Sequence, residues 1–207
     1  MPAVSLVSGR DRLLRAAIEL VIERGIYRAT SNEIARRAGV TWGSIQHYFG
    51  SREKLFVAVL EFDFEFFLAL MDDAIIVGDT LATRLESVYA VIESYYGRRE
   101  YLATFQIRMS LLSDSKRVSD IELTTQRQND MVNAGWLALV HRVLSTEDLG
   151  TTTPLVIYEM FRAVASRRGL MAHYPESVRG RTAIDDLSSF TIRAVSALLA
   201  QQGEIDD

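Results

Sequence analysis

Gly39 and the residues on either side of it constrain this chain more than any other stretch. Between Thr30 and Lys54 the sequence TSNEIARRAGVTWGSIQHYFGSREK reads as two short helices joined by a tight turn. Ile34 and Ala35 give the first helix an apolar face, and Gly39 stands where a left-handed cap calls for a residue without a side chain. Val40 fills the corner. Thr41 is placed as the N-cap of the second helix, whose Ile45 and Phe49 recur at i,i+4 and so face inward. That leaves Trp42, Gly43, Ser44, Gln46, His47 and Tyr48 pointing out. An outward row of aromatic, hydroxyl and amide groups at the start of a short helix suits reading a major groove better than it suits packing.

With 207 residues, 48% of them hydrophobic, the chain has material for a buried core in one large or two small domains. It has no cysteine, which excludes disulfides and thiolate chemistry and fits a reducing compartment. The N-terminal MPAVSLVSGR lacks the basic segment and roughly 7–15-residue apolar core of a signal peptide. No apolar run approaches the ~20 residues that span a bilayer, so the expectation is a soluble, cytoplasmic protein with no membrane partner. Net charge is −4, but unevenly spread: residues 1–55 hold nine Arg or Lys against five Asp or Glu, a net of +4, and residues 56–207 carry −8. A basic module on an acidic body fits a phosphate-binding head, expected over 1–55, with a separate helical body over 56–207.

Taken in order, Ser8 and Asp11 have capping-box spacing, and Leu14, Ile18 and Val21 repeat at helical spacing, which predicts a first helix over 9–24 closed by Gly25. Thr30 with Glu33 is the next capping box. Gly50 breaks the chain and Ser51 caps a longer helix running to about residue 71 or 73. A fifth helix is expected to start at Asp79, with Leu81, Leu85, Val88 and Ile92 on one face, a sixth within 98–114 and a seventh over about 116–144. The segment TEDLGTTT (146–153) reads as a loop, with Pro154 at the first position of an eighth helix that ends before Pro175. A ninth covers about 181–202, its stripe formed by Leu187, Phe190, Ala194 and Leu198. Strand-like alternation bounded by turn residues is missing, so the predicted fold class is all-α, with a three-helix helix-turn-helix head and a body, about nine helices in total.

The run IARRAGVTWGSIQHYFGSREKL resembles the DNA-binding signature of the TetR/AcrR family of bacterial transcriptional regulators. Ile34, Ala35, Ala38, Gly39, Val40, Thr41, Gly43, Ser44, Ile45, Tyr48, Phe49, Ser51 and Leu55 match its usual pattern in register, and the resemblance covers about residues 10–56. It implies that Trp42, Ser44 and His47 approach base edges, with Asn32 near the groove, and that Thr30, Thr41, Tyr48, Arg52 and Lys54 hold phosphates. Gly43 and Gln46 complete the candidate DNA-binding set. Gln46 stands where the family often has tyrosine, and an amide there either removes one positioning contact or offers a bidentate reader of adenine. Arg52 replaces a frequent lysine and keeps its charge.

The long fourth helix carries Phe56, Leu60, Phe64, Phe67 and Met71 at helical spacing. Such a stripe is ordinarily core. The resemblance supports an alternative, a small-molecule effector cavity lined by Phe62, Phe66, Tyr89, Tyr96, Phe105, Met109, Met131 and Trp136, which would be large and apolar. The eighth and ninth helices each have an apolar stripe that needs a partner. They either complete the monomer's core or pair with the same helices of a second subunit; the resemblance favours a homodimer, and a turn-helix head reads half-sites about 34–36 Å apart only when duplicated. No catalytic motif is present, the three histidines are 94 and 32 residues apart, and neither a metal nor a cofactor is expected. The leading expectation is a transcriptional regulator, a repressor released from a palindromic double-stranded DNA operator by an apolar ligand. Its rivals are a sequestering or enzymatic body with a relic turn motif, and a ligand-independent regulator or activator.

Overall fold

The computed structural model describes residues 8–113, 118–143, 152–174 and 184–203, and among them are nine helices and no strand. Ser8 Oγ accepts from the Asp11 N–H at 3.1 Å and starts α1 (Gly9–Arg24), which Gly25 ends with φ 77°. Thr30 Oγ1 accepts from the Glu33 N–H at 3.4 Å and starts α2 (Ser31–Ala38). Gly39 takes the left-handed conformation at φ 64°, ψ 36°, where a side chain is strained, and turns the chain into α3 (Trp42–Phe49). Ser51 Oγ accepts from the Lys54 N–H at 3.2 Å at the head of α4 (Arg52–Asp72). Then follow α5 (Leu81–Tyr96), α6 (Arg99–Leu112), α7 (Val118–Val143), α8 (Thr152–Ala172) and α9 (Ile184–Gly203).

Several boundaries differ from expectation for local reasons. Thr41 holds the N-cap position but makes no side-chain cap bond, because its hydroxyl pairs with Ser44 Oγ at 3.3 Å. The fifth helix is capped by Thr80, not begun at Asp79: Thr80 Oγ1 accepts from the Thr83 N–H at 3.2 Å and Thr83 Oγ1 from the Thr80 N–H at 3.1 Å. Thr152 and Thr153, expected in a loop, are helical, which puts Pro154 third in α8; a helix's first four N–H groups have no partner within it, so proline costs nothing there. The rest of that predicted loop, and the starts expected near 116 and 181, lie outside the described residues.

Two compact units emerge, Met1–Phe66 with Arg99–Gln126, and Phe67–Arg98 with Arg127–Asp207. In the first, Leu13, Leu14, Ala17 and Leu20 of α1, Ile34 and Ala35 of α2, Ile45 of α3, Leu55, Phe56 and Val59 of α4, and Ile107 of α6 form one buried cluster. Helices of eight residues are too short to stand alone, so α2 and α3 depend on this burial. In the second unit Phe67, Met71, Ile92, Trp136, Leu139, Phe161 and Val195 are buried among α4, α5, α7, α8 and α9. Gly169 of α8 lies against the Tyr96 carbonyl so closely that a Cβ there would stand 2.0 Å from its oxygen.

Candidate nucleic-acid interface

Ile45 anchors α3 to the core and Phe49 packs partly against it, so the remaining positions face out. Trp42 is 55% exposed with no ring partner among the described residues, and Gly43, Gln46, His47 and Tyr48 are exposed beside it, with Ser44 half-buried. Tyr48 meets the His47 ring edge-on at 5.0 Å, and a Cβ on Gly9 would stand 3.3 Å from its hydroxyl. Among the described residues a Cβ on Gly43 would meet only Thr41 Oγ1 at an ordinary 3.6 Å, so none of them requires glycine at that position. Thr30, Asn32 and Thr41 are exposed at the N-terminal ends of α2 and α3, where unpaired N–H groups favour an anion.

Two groups stand out among the head's charges. Arg37 reaches Glu23 at 2.5 Å and Glu19 at 3.4 Å, and Glu33 takes Arg36 at 2.7 Å and Arg24 at 3.3 Å. The hydrogen bonds from Arg37 and Arg36 hold the Glu23 and Glu33 carboxyls below the usual range. Exposed pairs of this kind add little stability, but they neutralise Glu19, Glu23 and Glu33. Arg28 and Lys54 are exposed and make no ion pair among the described residues, so they remain as free positive charge.

Arg52, expected on a phosphate, makes its hydrogen bonds within the protein through two of its guanidinium nitrogens. Its Nε donates to the Ala29 carbonyl at 2.8 Å, one terminal nitrogen donates to the Ile26 carbonyl at 2.7 Å, and the guanidinium lies 4.4 Å from the centre of the Phe56 ring. Burial lowers its pKa, and the two carbonyls replace lost water. The charge is turned inward to the α1–α2 loop.

The eight residues expected to line an effector cavity divide between the units. Phe62, Phe66, Phe105 and Met109 belong to the first, where Phe66 and Met109 are exposed and Phe62 and Phe105 half-buried. Tyr89, Tyr96, Met131 and Trp136 belong to the second, with Met131 exposed. Trp136 is wholly buried, its indole N–H bonded to the Pro154 carbonyl and its ring against Tyr158 and Phe161. Tyr96 and Tyr158 place their hydroxyls 3.3 Å apart. Tyr89 is 4% exposed and its hydroxyl has no hydrogen-bond partner among the described residues; burial pushes that phenol up to about 12. Its orphaned hydroxyl left no trace in the sequence, where Tyr89 is one aromatic in an apolar stripe. Asp63 was equally hidden: it is buried on α4 and accepts from Thr104 Oγ1 at 3.2 Å.

A short outward-facing helix, the left-handed turn before it and a preceding helix with a free N-terminus define a helix-turn-helix DNA-binding protein. Residues 13–59 match the family model of bacterial regulatory proteins, tetR family. Over these residues the chain carries the DNA-binding region of the TetR family of bacterial transcriptional regulators. It is 30% identical over 123 residues to the HTH-type transcriptional regulator BetI of Rhizobium meliloti, covering 58% of this chain and 59% of that one. Over 128 residues it is 30% identical to the HTH-type transcriptional repressor KstR2 of Mycolicibacterium smegmatis, covering 60% and 61%. The chain thus spans about three-fifths of the length of each of these two relatives. A solved transcriptional regulator from Rhodococcus sp. shares the fold, with TM-score 0.64 at 19% identity over 91% of this chain and 96% of the other. Among the described residues no helix is long and apolar enough to cross a membrane.

Proposed function

We propose that this regulator is a repressor that acts as a homodimer on a palindromic operator, with residues 1–55 as the reading head and 56–207 as an effector-binding and dimerising body. The single observation that carries the reading is the exposed row on α3, with Trp42 half out of the protein and Gly43 unencumbered beside it. Trp42, Gly43, Ser44, Gln46 and His47 face base edges, and Asn32 approaches from α2. Thr30, Thr41, Tyr48 and Lys54 hold the flanking phosphates. A repressor among the relatives supports the direction of control. The exposed Phe190, Leu198 and Val156 on α9 and α8 support a second copy covering those helices. Tyr89 supports an effector with at least one polar group, because a buried hydroxyl without a partner is costly and a ligand atom relieves it. Such a ligand shifts the operator equilibrium only as far as it binds two conformations unequally.

The experiment is selection of duplexes from a random-sequence library, followed by titration of the selected duplex and a scrambled one. Expected are a two-fold symmetric consensus, tighter binding of the selected duplex, and loss of that preference in Trp42→Ala with the fold intact. Equal affinity for the two duplexes would end the reading.

A further inference from the structure

We infer that the α1–α2 loop is a second DNA-contacting element, in which Tyr27 and Arg28 grip the sugar-phosphate strand beside the base-reading helix, and that Arg52 acts through this loop. The inference rests on the reading of α3 as the groove-entering helix. The loop is built with two residues in and two out: Ile26 and Ala29 are buried, while Tyr27 is 91% exposed and Arg28 is exposed beside it. Its backbone is tied at both ends, by Arg28 N–H to Gly25 O at 3.2 Å and Thr30 N–H to Arg28 O at 2.9 Å. The Arg52 guanidinium then bridges the carbonyls of Ile26 and Ala29, the two buried residues flanking the exposed pair. Tyr27 and Arg28 therefore project from a fixed platform.

A single exposed tyrosine is ordinary. Here three further observations converge on it. Arg24, Arg36 and Arg37 nearby are all paired with glutamates, whereas Arg28 makes no ion pair among the described residues. The two residues are separated only by Ala29 from Thr30 at the N-terminus of α2, and the helix preceding a recognition helix crosses the phosphate backbone. Arg52, also expected on phosphate, commits two guanidinium nitrogens to the loop's carbonyls, and Arg28 is the loop's own exposed cation. A guanidinium takes two phosphate oxygens at once, and the tyrosine hydroxyl donates to a third or its ring covers a sugar. Neither contact reads sequence, so the loop adds affinity and register but no discrimination.

The test titrates wild type, Arg28→Gln and Tyr27→Ala against the library-selected and scrambled duplexes across a salt series, with circular dichroism as the fold control. Arg28→Gln is expected to weaken both duplexes by the same factor and to reduce the salt slope by about 0.9 for each subunit bound; Tyr27→Ala is expected to weaken both equally as well. Arg28→Gln with wild-type affinity and slope overturns the inference while the α3 reading stands, and a loss confined to the selected duplex overturns it by making Arg28 a base reader. A wild type that binds neither duplex overturns both. Arg52→Lys keeps the charge but does not span two carbonyls. It is expected to lower the slope as Arg28→Gln does, with the double variant no weaker than the worse single one. A retained slope and additive losses would put Arg52 itself on phosphate.

Discussion

Glycine within a helix is disfavoured unless something needs the missing side chain, and at Gly43, in the first turn of α3, nothing among the described residues does. Gly43→Ala is therefore expected to raise stability by about 0.5–1 kcal/mol in thermal unfolding while weakening DNA binding, because in the proposed complex the added methyl faces the groove. Unchanged binding would remove Gly43 from the interface. Tyr89 gives a second opposition at this scale. Its hydroxyl is buried and unbonded, so Tyr89→Phe is expected to be no less stable than wild type near neutrality and to respond differently to effector. Burial raises the folded-state pKa from 10 to about 12, so the phenol's contribution is fully present below about pH 10 and is lost as pH rises through 12. Urea unfolding across that window should show wild type losing stability relative to Tyr89→Phe.

Among elements, the contact between α5 and α8 is the most restrictive. A Cβ on Gly169 would stand 2.0 Å from Tyr96 O, a backbone atom that yields only if one helix moves. Gly169→Ala is expected to destabilise the body by at least about 1–3 kcal/mol in chemical denaturation, and an unchanged midpoint would refute this packing. In contrast, α2 and α3 are specified locally. Thr30, Gly39 and Gly50 set their ends, and Ser51 the start of α4, by short-range hydrogen bonds or backbone conformation, and for that reason they were legible in the sequence. Thr41 was half legible: its position as N-cap follows from the chain, but Ser44 one turn on competes for its hydroxyl.

For the molecule as a whole, α9 shows how far periodicity reaches. The sequence stripe Leu187, Phe190, Ala194 and Leu198 is a real helical face, yet the side buried within this chain carries Ser188, Thr191, Ile192, Val195 and Leu199, and Phe190 is 61% exposed. An apolar face calls for a partner without naming it. If a second copy covers the outer face, Phe190→Glu is expected to shift the protein toward monomer in sedimentation and to lower operator affinity through loss of the paired head. A Phe190→Glu protein that remains dimeric would place the subunit contact elsewhere.

The sequence by itself determined what depends on neighbours a few residues away: the all-α class, the ends of the short helices, the turn at Gly39 and the outward row from Trp42 to Tyr48. Caps, left-handed turns and helical periodicity are local, and the family signature is written in the same short stretch. Only the tertiary structure decided what depends on residues far apart in the chain. Arg52 turns to Ile26 and Ala29, Trp136 closes on Pro154, Tyr89 is left with an orphaned hydroxyl, and Gly169 admits Tyr96. Each is a contact between elements, and a one-dimensional pattern specifies which face is apolar or charged without specifying what that face will meet.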